Sequence, residues 1–171
     1  MTNSKQRCKA PERGTINVKW MPRTERHRNS PDGHVRVVDV EIPNDVRYIE
    51  KVVELVRREC QVMAYGQRQL MLNVPVALTE ALSNAILRGN GDDPAKHVHV
   101  HAEVGAERLV LEVGDEGTGF DLDASLIDPT TPENLGREDG RGLFLMRKLM
   151  DRVERLEAAR GSVVRMTLHR E

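Results

Sequence analysis

Hydrophobic positions along the chain change period several times, and each change marks an element. From His34 to Ile42 side chains alternate, with Val35, Val37 and Asp39 on one side and Arg36, Val38 and Val40 on the other. This predicts a first strand, stopped by Pro43. The period then lengthens. Val46, Ile49, Val53, Val56, Cys60 and Met63 recur at helical spacing behind a cap at Asn44 or Asp45, and Gly66 marks the stop. A second helix is predicted with Asn73 as its cap, Pro75 in its first turn and Val76, Leu78, Leu82, Ala85 and Ile86 on its apolar side. Alternation returns over His97 to Ala102, after a turn at Gly91-Asp92-Asp93-Pro94. Gly105-Ala106 turns the chain into a buried run, Leu109 to Val113, that ends at Asp115. Residues 121–139 are rich in acids, Pro129, Pro132 and Gly136, and predict a flap. Leu143, Met146, Leu149, Met150 and Val153 predict a helix from Gly142 to about Leu156. Gly161 then leads into a last strand, Ser162 to His169, with Val164, Met166 and Leu168 on one side.

The order β-α-α-β-β-flap-α-β, with strands joined by a short turn and helices in pairs, predicts an α+β fold. We expect a two-layer sandwich with a mixed, mostly antiparallel sheet covered on one face by about three helices. Residues 34–171 form the expected domain. Residues 1–33 are polar and carry eight Lys/Arg against three acids, so they read as a basic, mobile tail. Thr15 to Trp20 alternates over Ile16, Val18 and Trp20 and would add a short edge strand.

Composition narrows the function classes. The 171 residues suffice for one core. Only 3% of them are aromatic, so that core must be aliphatic. A net charge of -1 gives no global pull towards nucleic acid or membrane. Cys8 lies in the polar tail and Cys60 on a helix, which argues against a disulfide framework. No apolar run approaches a membrane span and no signal-peptide core is visible, so a cytoplasmic domain is expected.

Candidate chemistry gathers in three places. Glu80, Asn84 and Arg88 stand four residues apart and form one polar helix stripe. A carboxylate one turn from a carboxamide suits proton handling beside a hard cation, although a solvated helix face has the same pattern. Asp115 delivers a carboxylate from a buried strand into a turn carrying Gly117 and Gly119. Gly140, Arg141 and Gly142 open a helix, where backbone N–H groups and the helix dipole favour anions. Arg137 and Arg141 are candidates to neutralise phosphate charge, or to pair with Glu138 or Asp139. His97, His99 and His101 share one strand face, but same-face neighbours stand roughly 6.5–7 Å apart. They read as a solvated or partner-facing surface. Cys60 lies on the apolar stripe and reads as core.

Taken in order, these residues resemble a known superfamily. Glu80-Ala-Leu-Ser-Asn84-Ala-Ile-Leu-Arg-Gly-Asn90 resembles the N-box of the GHKL ATPases. Asp115-Glu-Gly117-Thr-Gly119-Phe resembles their first glycine box, and Gly140-Arg-Gly142-Leu-Phe-Leu-Met their second. The nearest branch is the bacterial anti-sigma-factor serine-protein kinases, and the likeness covers roughly residues 35–169. It implies the Bergerat ATP-binding fold, with ATP and Mg²⁺ bound. Asp115 would accept from the adenine amino group, and Gly117 and Gly119 would close the turn around base and sugar. Asn84 would ligate Mg²⁺, and Glu80 would act as base or orienter for a serine or threonine hydroxyl. Gly140, Arg141 and Gly142 would hold the phosphates, with Arg137 or Arg141 in the flap-arginine role. The chain has Arg88 where many relatives have His. It has Gly161-Ser162 where they often have a nucleotide-contacting Gly-Thr, which makes Ser162 a further candidate.

The function implied is an ATP-dependent serine/threonine protein kinase. It would act as an anti-sigma factor, sequestering a sigma factor and phosphorylating a STAS-domain antagonist, as a homodimer. A non-catalytic, nucleotide-dependent regulatory module is the alternative. The catalytic half of a histidine kinase is a third reading, weakened because His27 and His34 lie in a polar tail rather than on a long amphipathic helix.

Overall fold

The computed structural model describes residues 17–18, 35–91, 93–117, 141–158 and 161–171. Its frame is a six-stranded sheet: β1 (Asn17–Val18), β2 (Arg36–Pro43), β3 (His97–Val104), β4 (Arg108–Asp115), β5 (Arg152–Glu157) and β6 (Ser162–His169). The spatial order is β1-β2-β3-β4-β6-β5. Every pair runs antiparallel. The short edge strand expected near Val18 is present, paired with Glu41 and Val40.

Three helices cover one face: α1 (Ile49–Val62), α2 (Val74–Asn84) and α3 (Arg141–Leu149). The two-period pattern of the strands explains why only one face is covered. Val38, Val40 and Ile42 of β2 are buried, as are Val98, Val100, Ala102 and Val104 of β3 and Leu109, Leu111 and Val113 of β4. They pack with Val56 and Cys60 of α1, Leu78 and Leu82 of α2, and Leu143 and Met146 of α3 in a single core. The expected two-layer α+β sandwich is therefore the observed one.

Four local expectations are corrected. First, the chain becomes helical before Asn73, and a π-helical turn, Gln69–Asn73, runs directly into α2. Asn73 is itself helical and caps nothing; its Nδ2 donates to the Leu149 carbonyl at 2.6 Å, tying α2 to the end of α3. Second, α1 stops before Gly66: Ala64 takes the left-handed conformation at φ 56°. Third, α3 ends at Leu149, and Arg152–Glu157 is a strand rather than helix. Its register against β6, with Val153 opposite Met166, and the Asp151 N–H donated to the Thr167 carbonyl at 2.9 Å settle the matter. Fourth, the helix Gln69–Gly89 is long and apolar enough to span a bilayer by length and composition. Half of it is buried against the sheet and its neighbours, which marks a core helix.

The other sheet face is polar. Asp39, His101, Glu112, Arg165 and Glu154 lie in one transverse row across five strands, with charges of alternating sign when His101 is protonated.

Candidate active site

Asp115 is the last residue of β4 and is 6% exposed. The Ser162 hydroxyl donates to its Oδ2 at 2.7 Å, and the Gly117 N–H donates to its Oδ1 at 3.0 Å. A carboxylate has about four acceptor positions, so each oxygen keeps one for a ligand. Three glycines close around this residue. Gly161 has φ +74°, and a Cβ there would strike the Asp115 carbonyl. A Cβ on Gly89 would lie 2.5 Å from Asp115 Cγ, and one on Gly117 would strike the Gly89 carbonyl. At Gly117 and Gly161 backbone therefore meets backbone, and at Gly89 backbone meets the Asp115 side chain, where any added side chain would hold the segments apart.

Gly89 ends a second π-helical turn, Ala85–Gly89, that continues α2. The Asn90 N–H closes it on the Ala85 carbonyl at 2.8 Å, five residues back. Spreading one turn over five residues brings Gly89 back towards the side of the helix that carries Asn84. At an α-helical rise, Glu80, Asn84 and Gly89 lie within about 14 Å along one axis. Asp115 thus sits at one end of this line and Glu80 at the other.

Glu80 and Asn84 are half-buried. Gly142, in the first turn of α3, faces them both: a Cβ there would strike Glu80 Oε2 and lie 3.5 Å from Asn84 Nδ2. The Glu80 carboxylate therefore sits at the N-terminal end of α3, where the helix dipole favours negative charge. Arg141 is the first residue of α3 and is exposed, as is Arg88 on α2. The structure thus brings together Glu80, Asn84, Asp115, Gly117, Gly142 and Ser162 through one helix and the two segments packed on it. Gly119, Arg137 and Gly140, with the flap 121–139, lie outside the described residues.

Two residues of this region were not singled out by sequence: Gly89, the floor beneath Asp115, and Asn90, which bonds the next peptide along. A glycine in an otherwise helix-favouring run, followed directly by asparagine, was the available signal.

The other candidates resolve simply. Cys60 is buried, and burial pushes its thiol up to about 12, so it is core and no nucleophile. Among the described residues no group of three or more His, Cys, Asp or Glu is placed to hold a metal ion. The three histidines of β3 face carboxylates instead: His97 and Glu116 at 3.8 Å, His99 and Glu41 at 2.8 Å, His101 and Asp39 at 3.4 Å. A groove of about 690 Å³ opens on this polar face, lined by His101, Glu112, Arg165 and His169 among others. No candidate site residue lines it.

Residues 42–168 match the histidine kinase-like ATPase domain family. Among curated proteins, the serine-protein kinase RsbW of Bacillus velezensis is 30% identical over 138 residues, covering 78% of this chain and 85% of its own length. The protein of the same name from Bacillus subtilis is 30% identical over 135 residues, covering 76% and 83%. That of Bacillus pumilus is 30% identical over 148 residues, covering 80% and 89%. The chain belongs to the histidine kinase-like ATPase domain family, on the side of its serine-protein kinases.

Proposed function

We propose that this chain is a cytoplasmic protein serine/threonine kinase that takes ATP as phosphoryl donor and a STAS-type antagonist as acceptor, and that it holds a sigma factor as a homodimeric anti-sigma factor. The packing of Gly142 against Glu80 and Asn84 carries this reading, because it joins the glycine-opened helix to the acid–amide pair. Resemblance to proteins named as serine-protein kinases favours a hydroxyl acceptor over a phosphoacceptor histidine. Residues 34–171 carry the catalytic residues, and β1 (Asn17–Val18) adds a short edge to their sheet.

Each residue has a defined task in this reading. Asp115 uses its remaining acceptor positions for the 6-amino group of adenine, where guanine carries a carbonyl oxygen that cannot donate. Ser162 and Gly117 donate to its two oxygens and fix the direction in which the group points. Glu80 accepts the proton of the attacking hydroxyl, or orients it. Arg141 and the N–H groups opening α3, with Gly140 and Arg137 from the preceding segment, neutralise the phosphates. The donor set at Asn84 fits a hard cation: its half-buried carboxamide carries an oxygen of the kind Mg²⁺ takes, one helical turn from the Glu80 carboxylate. A Mg²⁺ ion held there would offset phosphate charge during transfer. Positioning and charge neutralisation supply most of the catalysis of such transfers, which suits a site with few reactive side chains.

The test is transfer of labelled phosphate from ATP to a co-encoded STAS antagonist. Wild type should label a serine or threonine and Glu80→Gln should lose most of the activity while keeping ATP affinity. No labelling by wild type, or identical labelling by Glu80→Gln, contradicts the reading.

A further inference from the structure

Asn90 is 2% exposed, and all of its polar atoms are engaged. Its N–H closes the π turn on the Ala85 carbonyl at 2.8 Å, and its carbonyl accepts from Lys96 Nζ at 3.1 Å. Its side chain faces two ways. Oδ1 accepts the Glu116 N–H at 2.8 Å, while Nδ2 donates to Asn44 Oδ1 at 3.0 Å and to the His97 carbonyl at 2.9 Å. The amide orientation follows from these partners, since a backbone N–H must meet the oxygen and a backbone carbonyl the nitrogen.

The Glu116 N–H belongs to the peptide that leaves Asp115. Holding it sets the direction in which the chain turns, and hence where the Gly117 N–H returns to Asp115 Oδ1. Gly89, the residue before, contacts the Asp115 side chain itself. Residues 89 and 90 therefore clamp Asp115 from its side-chain and backbone sides. Asn44, at the end of β2, is anchored in turn by its Nδ2 donated to the Asp93 carbonyl at 3.0 Å. The clamp is thus referred to the sheet as well as to the helix carrying Asn84.

We propose that Asn90 is a positioning residue for purine selection: its carboxamide fixes the Asp115 carboxylate at the angle and height at which the 6-amino group of adenine is read. The proposal rests on the ATP reading above. Only a short planar group with an acceptor on one edge and donors on the other meets this site. Aspartate keeps the acceptor but sets a carboxylate against two oxygen acceptors. Alanine loses every side-chain bond.

The experiment measures ATP and GTP binding by calorimetry for wild type, Asn90→Ala and Asn44→Ala, with thermal stability recorded for each. Asn44→Ala breaks the same network on the side away from Asp115. Asn90→Ala should lose about tenfold in ATP affinity and a similar factor in ATP-over-GTP preference. Its kcat at saturating ATP should stay within about twofold, since the Glu80 end is untouched. Asn44→Ala should lose stability and keep the preference. Should Asn90→Ala fail to fold, replacing the Asp115–Glu116 peptide by an ester removes that single N–H and should reproduce the lost preference. An unchanged preference in Asn90→Ala or in the ester form overturns the proposal and leaves ATP binding standing. Equal loss of preference in Asn44→Ala overturns it as well. Wild type without any ATP preference removes the ATP reading and the proposal together.

Discussion

Ser162 and Asp115 face each other across paired strands, and the serine hydroxyl donates to the acid at 2.7 Å. The acid is buried, so this bond replaces hydration the carboxylate has lost. Ser162→Ala should cost about 1–3 kcal/mol of stability, because the buried Oδ2 of Asp115 then loses its donor while Oδ1 keeps the Gly117 N–H. It should also weaken ATP binding several-fold, whereas Ser162→Thr, which keeps the hydroxyl, should preserve most of it. Denaturant melts and nucleotide titrations of both variants check this.

Gly89→Ala reverses the usual rule for helices. Glycine to alanine inside a helix normally adds about 1 kcal/mol of stability. Here the new methyl would lie 2.5 Å from Asp115 Cγ and 2.8 Å from its Cβ. The variant should be destabilised and should bind ATP poorly. A rise in thermal stability with unchanged ATP affinity would show that Gly89 and Asp115 are not in contact.

Gly142→Ala separates catalysis from stability. The atom in its way is the far end of the Glu80 side chain, which can rotate aside. Stability should change by less than about 1 kcal/mol, while phosphoryl transfer falls at least about tenfold because the base is displaced. Gly161→Ala is the contrast. Its φ of +74° and the Asp115 backbone in its path leave no cheap adjustment, so it should lose stability first. Melting curves alongside turnover distinguish the two.

The core gives a pH prediction. Burial raises the Cys60 thiol from 9.0 to about 12, and burial also raises Tyr65, whose hydroxyl donates to the Gly105 carbonyl. In the unfolded chain the thiol ionises near 9.0, while in the folded protein it stays neutral up to about 12. The folded state therefore holds more protons in this window, and stability falls as pH rises through it. The slope from this one group approaches about 1.4 kcal/mol per pH unit. Urea melts between pH 8 and 11 should show a steeper decline in wild type than in Cys60→Ala. Parallel curves would mean that the thiol is not buried.

The parts legible in the sequence were those with a local period. Alternation in β2, β3 and β4 gave the strands, and the spacing of Glu80 and Asn84 gave the stripe that Gly142 faces. The parts missed depended on partners distant in the chain. Val153 continues the helical spacing of Leu143, Met146 and Leu149, so nothing local ends α3 where it ends. The pairing of Arg152–Glu157 with β6 ends it. Asn73 looks like a cap, but its side chain bonds Leu149, 76 residues away. Gly89 and Asn90 read as an ordinary helix end until β4 is laid beside them. Nothing in their own segment announces Asp115 or the Glu116 N–H that Asn90 accepts, 26 residues further along the chain.

The most direct measurement is calorimetric titration of the whole chain with ATP and with GTP, in Mg²⁺, for wild type and Asp115→Asn, with melting curves confirming that both are folded. A carboxylate that reads the 6-amino group of adenine predicts that wild type prefers ATP by at least about tenfold, and that Asp115→Asn loses about 2 kcal/mol of ATP binding and most of that preference. Equal affinity for the two nucleotides, or a folded Asp115→Asn that binds ATP as wild type does, would contradict the account.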